Sequence, residues 1–228
     1  ESKFIESNAT LNKVLDVGCG TGTHIENLCR EDRTFIGIDP EWEILEIANT
    51  KFRNHSNVFF NNCYAHEIKN EKDFDTIISM FNVVNHILDD IDLKLYFNSI
   101  SKLLSKDGTF IFDCFNSNAV VDSNTHKSVK HITSSAHGGE YIIENTTKFN
   151  DDTNEMEMNN LVKVFHLKEE VDSFNYSLEH KIWSLDLLKK IIQQSGMEIK
   201  KIVSNTNYKN EVSEKDLKIT FVCKRRTI

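Results

Sequence analysis

The chain has 228 residues, 39% of them apolar and 27% charged, which suits one well-filled domain with a modest excursion rather than two large ones. No run approaches the roughly 20 consecutive apolar residues that cross a bilayer, so no membrane span is expected. The 35 acidic against 27 basic side chains leave a formal charge of -8, which repels a phosphate backbone unless cations cluster; here they are scattered, and Lys224-Arg225-Arg226 reads as a solvated tail.

Short apolar runs at 14–17, 35–39, 58–60, 74–79 and 108–112 read as strands, with helical spacing between several of them. Ile44, Leu45, Ile47 and Ala48 make one face of a helix opened by Asp39-Pro40. Leu93, Leu95, Phe97, Ile100, Leu103 and Leu104 mark a second, stopped by Lys106-Asp107-Gly108. Such alternation predicts a mainly parallel sheet with right-handed crossovers. Between 119 and 183 the texture changes: 129–132, 141–149, 155–167 and 171–182 read as extended segments parted by polar turns at Gly138-Gly139 and Asn150-Asp151-Asp152, an antiparallel insertion. Helical periodicity returns at Leu185, Leu187, Leu188, Ile191 and Ile192, stops at Ser195-Gly196, and gives way to strands near 199–203 and 217–223. The expected division is a core of 1–118 and 184–228 with an insertion of 119–183.

Cys19, Cys29, Cys63, Cys114 and Cys223 show no CxxC spacing, so neither a metal site nor a disulfide framework is expected, and a reducing cytoplasm is the simplest home. The chain opens on Glu1 with no Met and no signal-peptide pattern, which points to a trimmed N-terminus.

From Val14 the chain runs Leu15-Asp16-Val17-Gly18-Cys19-Gly20-Thr21-Gly22-Thr23-His24, a buried strand entering a glycine-rich turn and then a helix. Glycines at 18, 20 and 22 permit positive φ and let the main chain approach a ligand with no Cβ in the way. The spacing is GxGxG, one residue short of the GxGxxG fingerprint that holds a dinucleotide pyrophosphate, which disfavours a nicotinamide enzyme. Asp39 closes the next strand, where a carboxylate can accept both hydroxyls of a ribose or can cap the helix starting at Pro40. Asp16 has a similar choice between the turn's amides and a ligand ammonium.

VLDVGCGTGTH, then FIGIDP, FDTIISMFNVVNHI and LLSKDGTFIFD, in that order, resemble the motif series of class I S-adenosylmethionine-dependent methyltransferases, over roughly 11–115. The resemblance implies a Rossmann-like, doubly wound, mainly parallel α/β sheet, here with an antiparallel β insertion after the fifth strand. It implies S-adenosylmethionine as cofactor and S-adenosylhomocysteine as product. Gly18, Gly20 and Thr21 would then face the methionine portion, Asp39 with Pro40 the ribose, Tyr64 and Ala65 the adenine, and Met80 with Phe81 the sulfonium side. Relatives carry an acidic residue near the adenine amine; this chain reads Asn61-Asn62-Cys63-Tyr64-Ala65 there, which leaves backbone groups or stacking on Tyr64. Relatives also carry an N-terminal helix over the cofactor, whereas only Phe4 and Ile5 precede the first strand here, so part of that lid is expected to be missing. The SMF after the fourth strand, the long insertion and the exit Glu179-His180-Lys181 are similar to amino-sugar N-methyltransferases acting on nucleotide-linked deoxysugars.

Methyl transfer from a sulfonium needs chiefly alignment of acceptor, methyl carbon and sulfur, with water excluded; a hydroxyl acceptor also gains from a base. Candidates where loops leave the strands are Asn82, Asn85 and His86, then Asp113 and Asn116, then His180 beside Glu179. Each has a competing structural reading: a capping or half-buried histidine for His86, a loop-stabilising carboxylate for Asp113. His126, His131 and His137 lack metal spacing and read as surface residues, and Trp183 reads as core at an element junction. Nucleic-acid methyltransferases acting on base amines resemble one another in a [DN]PP[YF] motif after the fourth strand; this chain has Ser79-Met80-Phe81-Asn82 there, and Pro40 is its one proline. The expected partner is a small-molecule substrate, with no nucleic acid and no membrane, on a monomer or homodimer. A protein that binds the cofactor without turnover is the non-enzymatic alternative.

Overall fold

Successive side chains of a strand turn to opposite faces, and in this chain both faces are apolar. Val14 on β1 (Lys13–Val17) and Phe35 on β2 (Thr34–Ile38) go to one side, Leu15 and Ile36 to the other. Strands buried on both faces need a helical layer on each. The first side is covered by α1 (Ser2–Asn8), α2 (Thr23–Leu28) and α3 (Trp42–Lys51) through Ile5, Ile25, Leu28 and Leu45. The chain continues through β3 (Val58–Asn61) and β4 (Phe74–Ser79) to α4 (Asp90–Leu103), which covers the second side with Leu93, Phe97 and Ile100. Asp89 caps α4, its Oδ1 accepting from the amides of Ile91 and Asp92 at 2.8 and 2.9 Å.

The computed structural model describes residues 1–120, 125–134, 139–167, 169–208 and 212–226. After β5 (Leu104–Phe115) and α5 (Ser117–Val120) comes an antiparallel excursion, β6 (Thr125–Ser134), β7 (Gly139–Asn150), β8 (Glu155–His166) and β9 (Glu169–Lys181), paired in chain order. The core resumes with α6 (Leu185–Gln194), β10 (Met197–Ser204) and β11 (Lys218–Arg225). Among the described residues the main sheet has the order β10-β11-β5-β4-β1-β2-β3, parallel from β5 to β3, with β11 antiparallel to both its neighbours. Strand order reverses between β1 and β4, which opens a crevice at their C-terminal ends. This is the α/β architecture expected from the motif series, insertion included. No described helix is long and apolar enough to cross a membrane.

The second face is locked by aromatic packing. Phe112 stacks on Phe221 at 4.8 Å and 5° and on Phe110 at 4.9 Å and 20°, with Phe97 edge-on at 5.4 Å. All four rings are fully buried, each contributing on the order of 1.5–3 kcal/mol.

Three local expectations need correction. The second long helix stops at Leu103, and β5 starts at Leu104 rather than after Gly108. Leu104 already pairs with Phe74 of β4, and at Gly108 the two strands are so close that a Cβ would lie 2.8 Å from the Phe74 carbonyl. Lys224 and Arg225 are not a free tail: both lie in β11, donating to the carbonyls of Asp107 (3.1 Å) and Leu104 (2.5 Å). A short helix, α1, holds Phe4 and Ile5, and Phe4 stacks on Tyr208 at 4.6 Å. The readings of Gly138 and of the histidines at 126, 131 and 137 lie outside the described residues and side chains.

Gly37 faces Phe60 and Cys19 so closely that a Cβ would sit 2.7 Å from Phe60 Cδ1 and 2.8 Å from Cys19 Sγ. Gly37→Ala is expected to cost about 1–3 kcal/mol by overpacking, read as a lower urea midpoint with an unchanged m-value.

Candidate cofactor and acceptor site

The turn after β1 is built by conformations that only glycine adopts easily: Gly18, Gly20 and Gly22 have φ of +69°, +52° and +76°. It bends across the end of β2, where the amides of Gly18 and Cys19 both donate to the carbonyl of Ile38, at 2.8 and 3.0 Å. Asp39 completes the bend. Its Oδ2 accepts from the Gly20 amide at 2.9 Å and its Oδ1 from the Glu41 amide at 3.0 Å, so it braces the turn and the approach to α3 at once. Each oxygen keeps a lone pair for a further donor. The Asn62 amide donates to the carbonyls of Asp39 and Pro40 and fixes the approach to β3.

Asp16 is 1% exposed, and among the described residues nothing donates a hydrogen bond to its carboxylate; Oδ2 is fully enclosed without a partner. Burial, with the repulsion of Asp39 added and the attraction of His24 opposing, pushes its carboxyl up to about 7. Of the two roles open to it, holding the turn's amides is therefore not the one the geometry displays.

A cavity of about 540 Å³ lies between these turns, walled by Gly18, Pro40, Tyr64, Ala65, Val83 and His86 among others. Its waist is narrow: a Cβ on Gly18 would stand 2.5 Å from Val83 Cγ2. Tyr64 lies parallel to His66 at 5.6 Å, presenting an aromatic surface. Asp16, Gly20, Thr21, Asp39, Met80 and Phe81 are not among the residues that wall it, and Met80 is buried.

At the end of β4 the backbone is strained. Phe81 and Asn82 have φ of +66° and +62°, conformations costing of order 1–3 kcal/mol each for non-glycine residues. Asp113 holds the bend, Oδ1 accepting from the Asn82 amide at 2.7 Å and Oδ2 from Asn205 Nδ2 at 3.2 Å. Asp113 is fully buried and thus serves as a brace, its carboxyl raised by that burial. Asn82 Oδ1 is enclosed without a partner, and the Phe81 ring rests on His24 at 4.8 Å.

Asn85 is also fully committed. Its Nδ2 donates to the Lys181 carbonyl at 2.7 Å and its Oδ1 accepts from the Phe115 amide at 2.9 Å, joining the 83–86 turn, β5 and the end of β9. Trp183, buried as expected, donates to the Val84 carbonyl at 3.2 Å. Together they seat the insertion so that His180 meets His86, ring centroids 4.4 Å apart. His180 also lies edge-on to Phe115 at 5.5 Å. His180 is 3% exposed with Nδ1 unpartnered, and burial, with His86 and Lys218 adding, depresses it to about 4. Partial burial also lowers His86, against the pull of Asp39 and of the Glu179 carbonyl. Asn116 ties the loop before β11, donating to the carbonyls of Ser213 and Asp216.

The sequence gives no local sign of His24, Asn205 or Tyr208 as members of this region. His24 stands in the glycine motif, 5% exposed and 3.1 Å from Glu1 Oε2; the other two arrive from the loop between β10 and β11. Among the described residues no cluster of His, Cys, Asp and Glu could hold a metal ion.

Residues 14–108 match the family model described as a methyltransferase domain. The ubiquinone biosynthesis O-methyltransferase of Pelagibacter ubique is 30% identical over 135 residues, 58% of this chain and 50% of that protein. The chain spans about half the length of the curated relatives it matches. The crystal structure of an S-adenosylmethionine-dependent methyltransferase from Clostridium acetobutylicum superposes with a TM-score of 0.81 and 25% identity, covering 98% of this chain and 90% of that one. S-adenosylmethionine-bound CalS10, an amino pentose methyltransferase from Micromonospora echinaspora, shares the fold at a TM-score of 0.77 and 15% identity, covering 98% and 87%. Fold, ordered motifs and these likenesses make the chain similar to class I S-adenosylmethionine-dependent methyltransferases, with a methyltransferase domain over residues 14–108. The glycine cradle, the unpartnered buried carboxylate and the cavity fit that cofactor.

A folded carboxyl that holds its proton more tightly than the ordinary value of 3.8 loses stability as pH rises from there through about 7. Asp16→Asn should therefore raise the melting temperature of the ligand-free protein by about 2–4 °C at pH 8, on the scale of 1 kcal/mol for a chain of this size. At pH 3, below the ordinary value, where the carboxyl is neutral in folded and unfolded chain alike, differential scanning fluorimetry should show almost no gain.

Proposed function

We propose that the protein transfers the methyl group of S-adenosylmethionine to a nitrogen or oxygen of a small soluble acceptor, a sugar or nucleotide-linked amino sugar. The observation that carries this reading is the cavity that runs from the glycine turn to His86, where the insertion delivers His180. The chemistry the cofactor supplies when bound is a methyl group activated on positive sulfur, with S-adenosylhomocysteine as product. Asp16 holds the ammonium and Gly18, Gly20 and Thr21 the methionine portion. Asp39 and Pro40 hold the ribose, Tyr64 and Ala65 the adenine, and Met80 with Phe81 flanks the sulfonium.

On the acceptor side, His86 faces the cavity and stays neutral near pH 7, able to accept a proton or orient an amine. His180 backs it, and Asn82 offers an unpaired carbonyl oxygen. Asn85 and Asp113 position these groups rather than touch the acceptor, because their polar atoms are committed to the fold. The sugar acceptor is supported by the fold shared with the amino pentose methyltransferase and by the insertion that shapes the acceptor side. All five cysteines are free, which supports a reducing cytoplasm.

Asp39→Ala is expected to weaken S-adenosylhomocysteine binding at least tenfold by calorimetry; unchanged affinity would remove the ribose assignment. His86→Ala should lower turnover at least tenfold while that affinity stays near wild type, measured by homocysteine release on a panel of amino sugars, sugar nucleotides and small amines. With His86 held below the ordinary 6.5, the acid limb of the wild-type rate profile should fall below that pH and vanish in the variant. Cofactor binding with no methylation anywhere on the panel would favour a binding protein instead.

A further inference from the structure

In the register of β7, β8 and β9 the side chains of the insertion alternate between two unlike faces. One face carries groups that belong in water: Lys163 pairs with Glu144 at 2.6 Å, Lys181 with Glu155 at 3.4 Å, and Ser177 donates to Asn159 between them. The other face starts where His180 and Met156 pack beside Phe115 on the core. Further along, it presents Leu178 against Met158, then Tyr176 against Asn160, then Phe174 against Val162. Here the core no longer covers it: Phe174, Tyr176 and Leu178 are 50%, 41% and 36% exposed. They follow one another on one side of an edge strand, the rings of Phe174 and Tyr176 6.5 Å apart, and so form a single patch rather than scattered surface residues. A half-buried antiparallel sheet turns its polar face to water and covers its apolar one, and along this stretch the cover is missing.

We propose that this face is a dimer interface, covered by the same face of a second copy of the chain about a two-fold axis. Four strands about 4.8 Å apart, over roughly ten residues rising about 3.4 Å each, offer on the order of 650 Å² per copy, and a pair reaches the roughly 1,200–2,000 Å² of stable interfaces. From Phe174 to Leu178 the face bears no charged residue on β7, β8 or β9, so two copies meet without burying a charge. The polar groups in its middle are bonded to one another: Asn145 Nδ2 donates to Asn160 Oδ1 at 3.0 Å, and Thr147 donates to Asn145 Oδ1 at 2.8 Å. Strand addition at the free edge of β9 is opposed by Glu169, Glu170 and Asp172, which leaves the face as the surface of contact. A membrane or a nucleic acid would call for cations around the patch, whereas β9 carries four acidic residues against one lysine and the chain has a formal charge of -8. Two such chains repel at long range and are held by apolar burial at contact, so salt strengthens their association.

Light scattering and sedimentation of the full chain should show twice the chain's mass, with a Kd of about 10 µM or tighter, the weak end for interfaces of this area. Raising NaCl from about 0.05 to about 0.5 M should tighten that Kd, because it screens the repulsion between two anionic copies. Phe174→Arg, which sets a charge in the patch, should raise the Kd by about a hundredfold, whereas Asn175→Arg, its neighbour on the polar face, should change it by less than about threefold. Both variants should keep the circular dichroism and urea midpoint of the wild type, since both positions are exposed on the edge strand. Should Phe174→Arg not fold, hydroxyl-radical footprinting of the wild type decides. Met158 and Tyr176 should be labelled several-fold faster on dilution below the Kd, while Trp42, exposed on α3, is labelled equally throughout. A chain still monomeric at about 100 µM, a dimer weakened by salt, one that Phe174→Arg leaves intact, or labelling of Tyr176 that ignores concentration overturns the proposal. Dimerisation stands or falls independently of methyl transfer, which none of these measurements reads.

Discussion

The hydrogen bond from the Gly20 amide to the Asp39 carboxylate, 2.9 Å long, is the constraint on which the rest of the site depends. It pulls the turn after β1 over the end of β2 and leaves Gly18 facing Val83, so that the cavity becomes a slot rather than an open groove. The same carboxylate holds the amide of Glu41 just before α3, so turn, strand and helix entry share one anchor. A longer side chain would set the turn too far out, and a neutral one would lose the charge that makes such bonds strong.

Opposite this anchor the fold accumulates cost. Phe81 and Asn82 are held at positive φ, and Asp16 Oδ2, Asn82 Oδ1 and His180 Nδ1 are enclosed without partners. Elsewhere the core is conventional, with stacked phenylalanines and aliphatic side chains on both faces of the sheet. Unsatisfied polar atoms gathered at the C-terminal edge of a parallel sheet are what a ligand would satisfy, and their expense is borne by packing on the faces.

How far the sequence disclosed this follows from the range of each interaction. The β-α alternation, the glycine turn and Asp39 were readable because they depend on periodicity and on neighbours along the chain. The stop at Leu103 was not, because the next residue, Leu104, already pairs with Phe74 of β4, thirty positions away. The strand identity of Lys224 and Arg225 was hidden likewise, since the carbonyls that hold them belong to residues 107 and 104. Asn85 was legible as polar and near the mouth, but its commitment to Phe115 and Lys181, 30 and 96 positions away, is tertiary information. His86 and His180 were separately noticeable, whereas their meeting at 4.4 Å depends on where the insertion re-enters the core.

That re-entry divides the labour within the site. On the proposed function the cofactor side comes from β1, β2 and the turns after them, in the region that matches the methyltransferase domain model. On that same proposal the acceptor side lies where the insertion returns, on a joint made by Asn85 and Trp183. Away from that joint β9 is exposed along 169–179, so its sequence can change with little effect on the core, while His180 is held in place by buried contacts. On the proposed function, a chain built this way can alter the strands of the insertion without disturbing the turns after β1 and β2. Selection of the acceptor and binding of the donor then fall, on that proposal, to different stretches of sequence, which meet where His180 packs on His86.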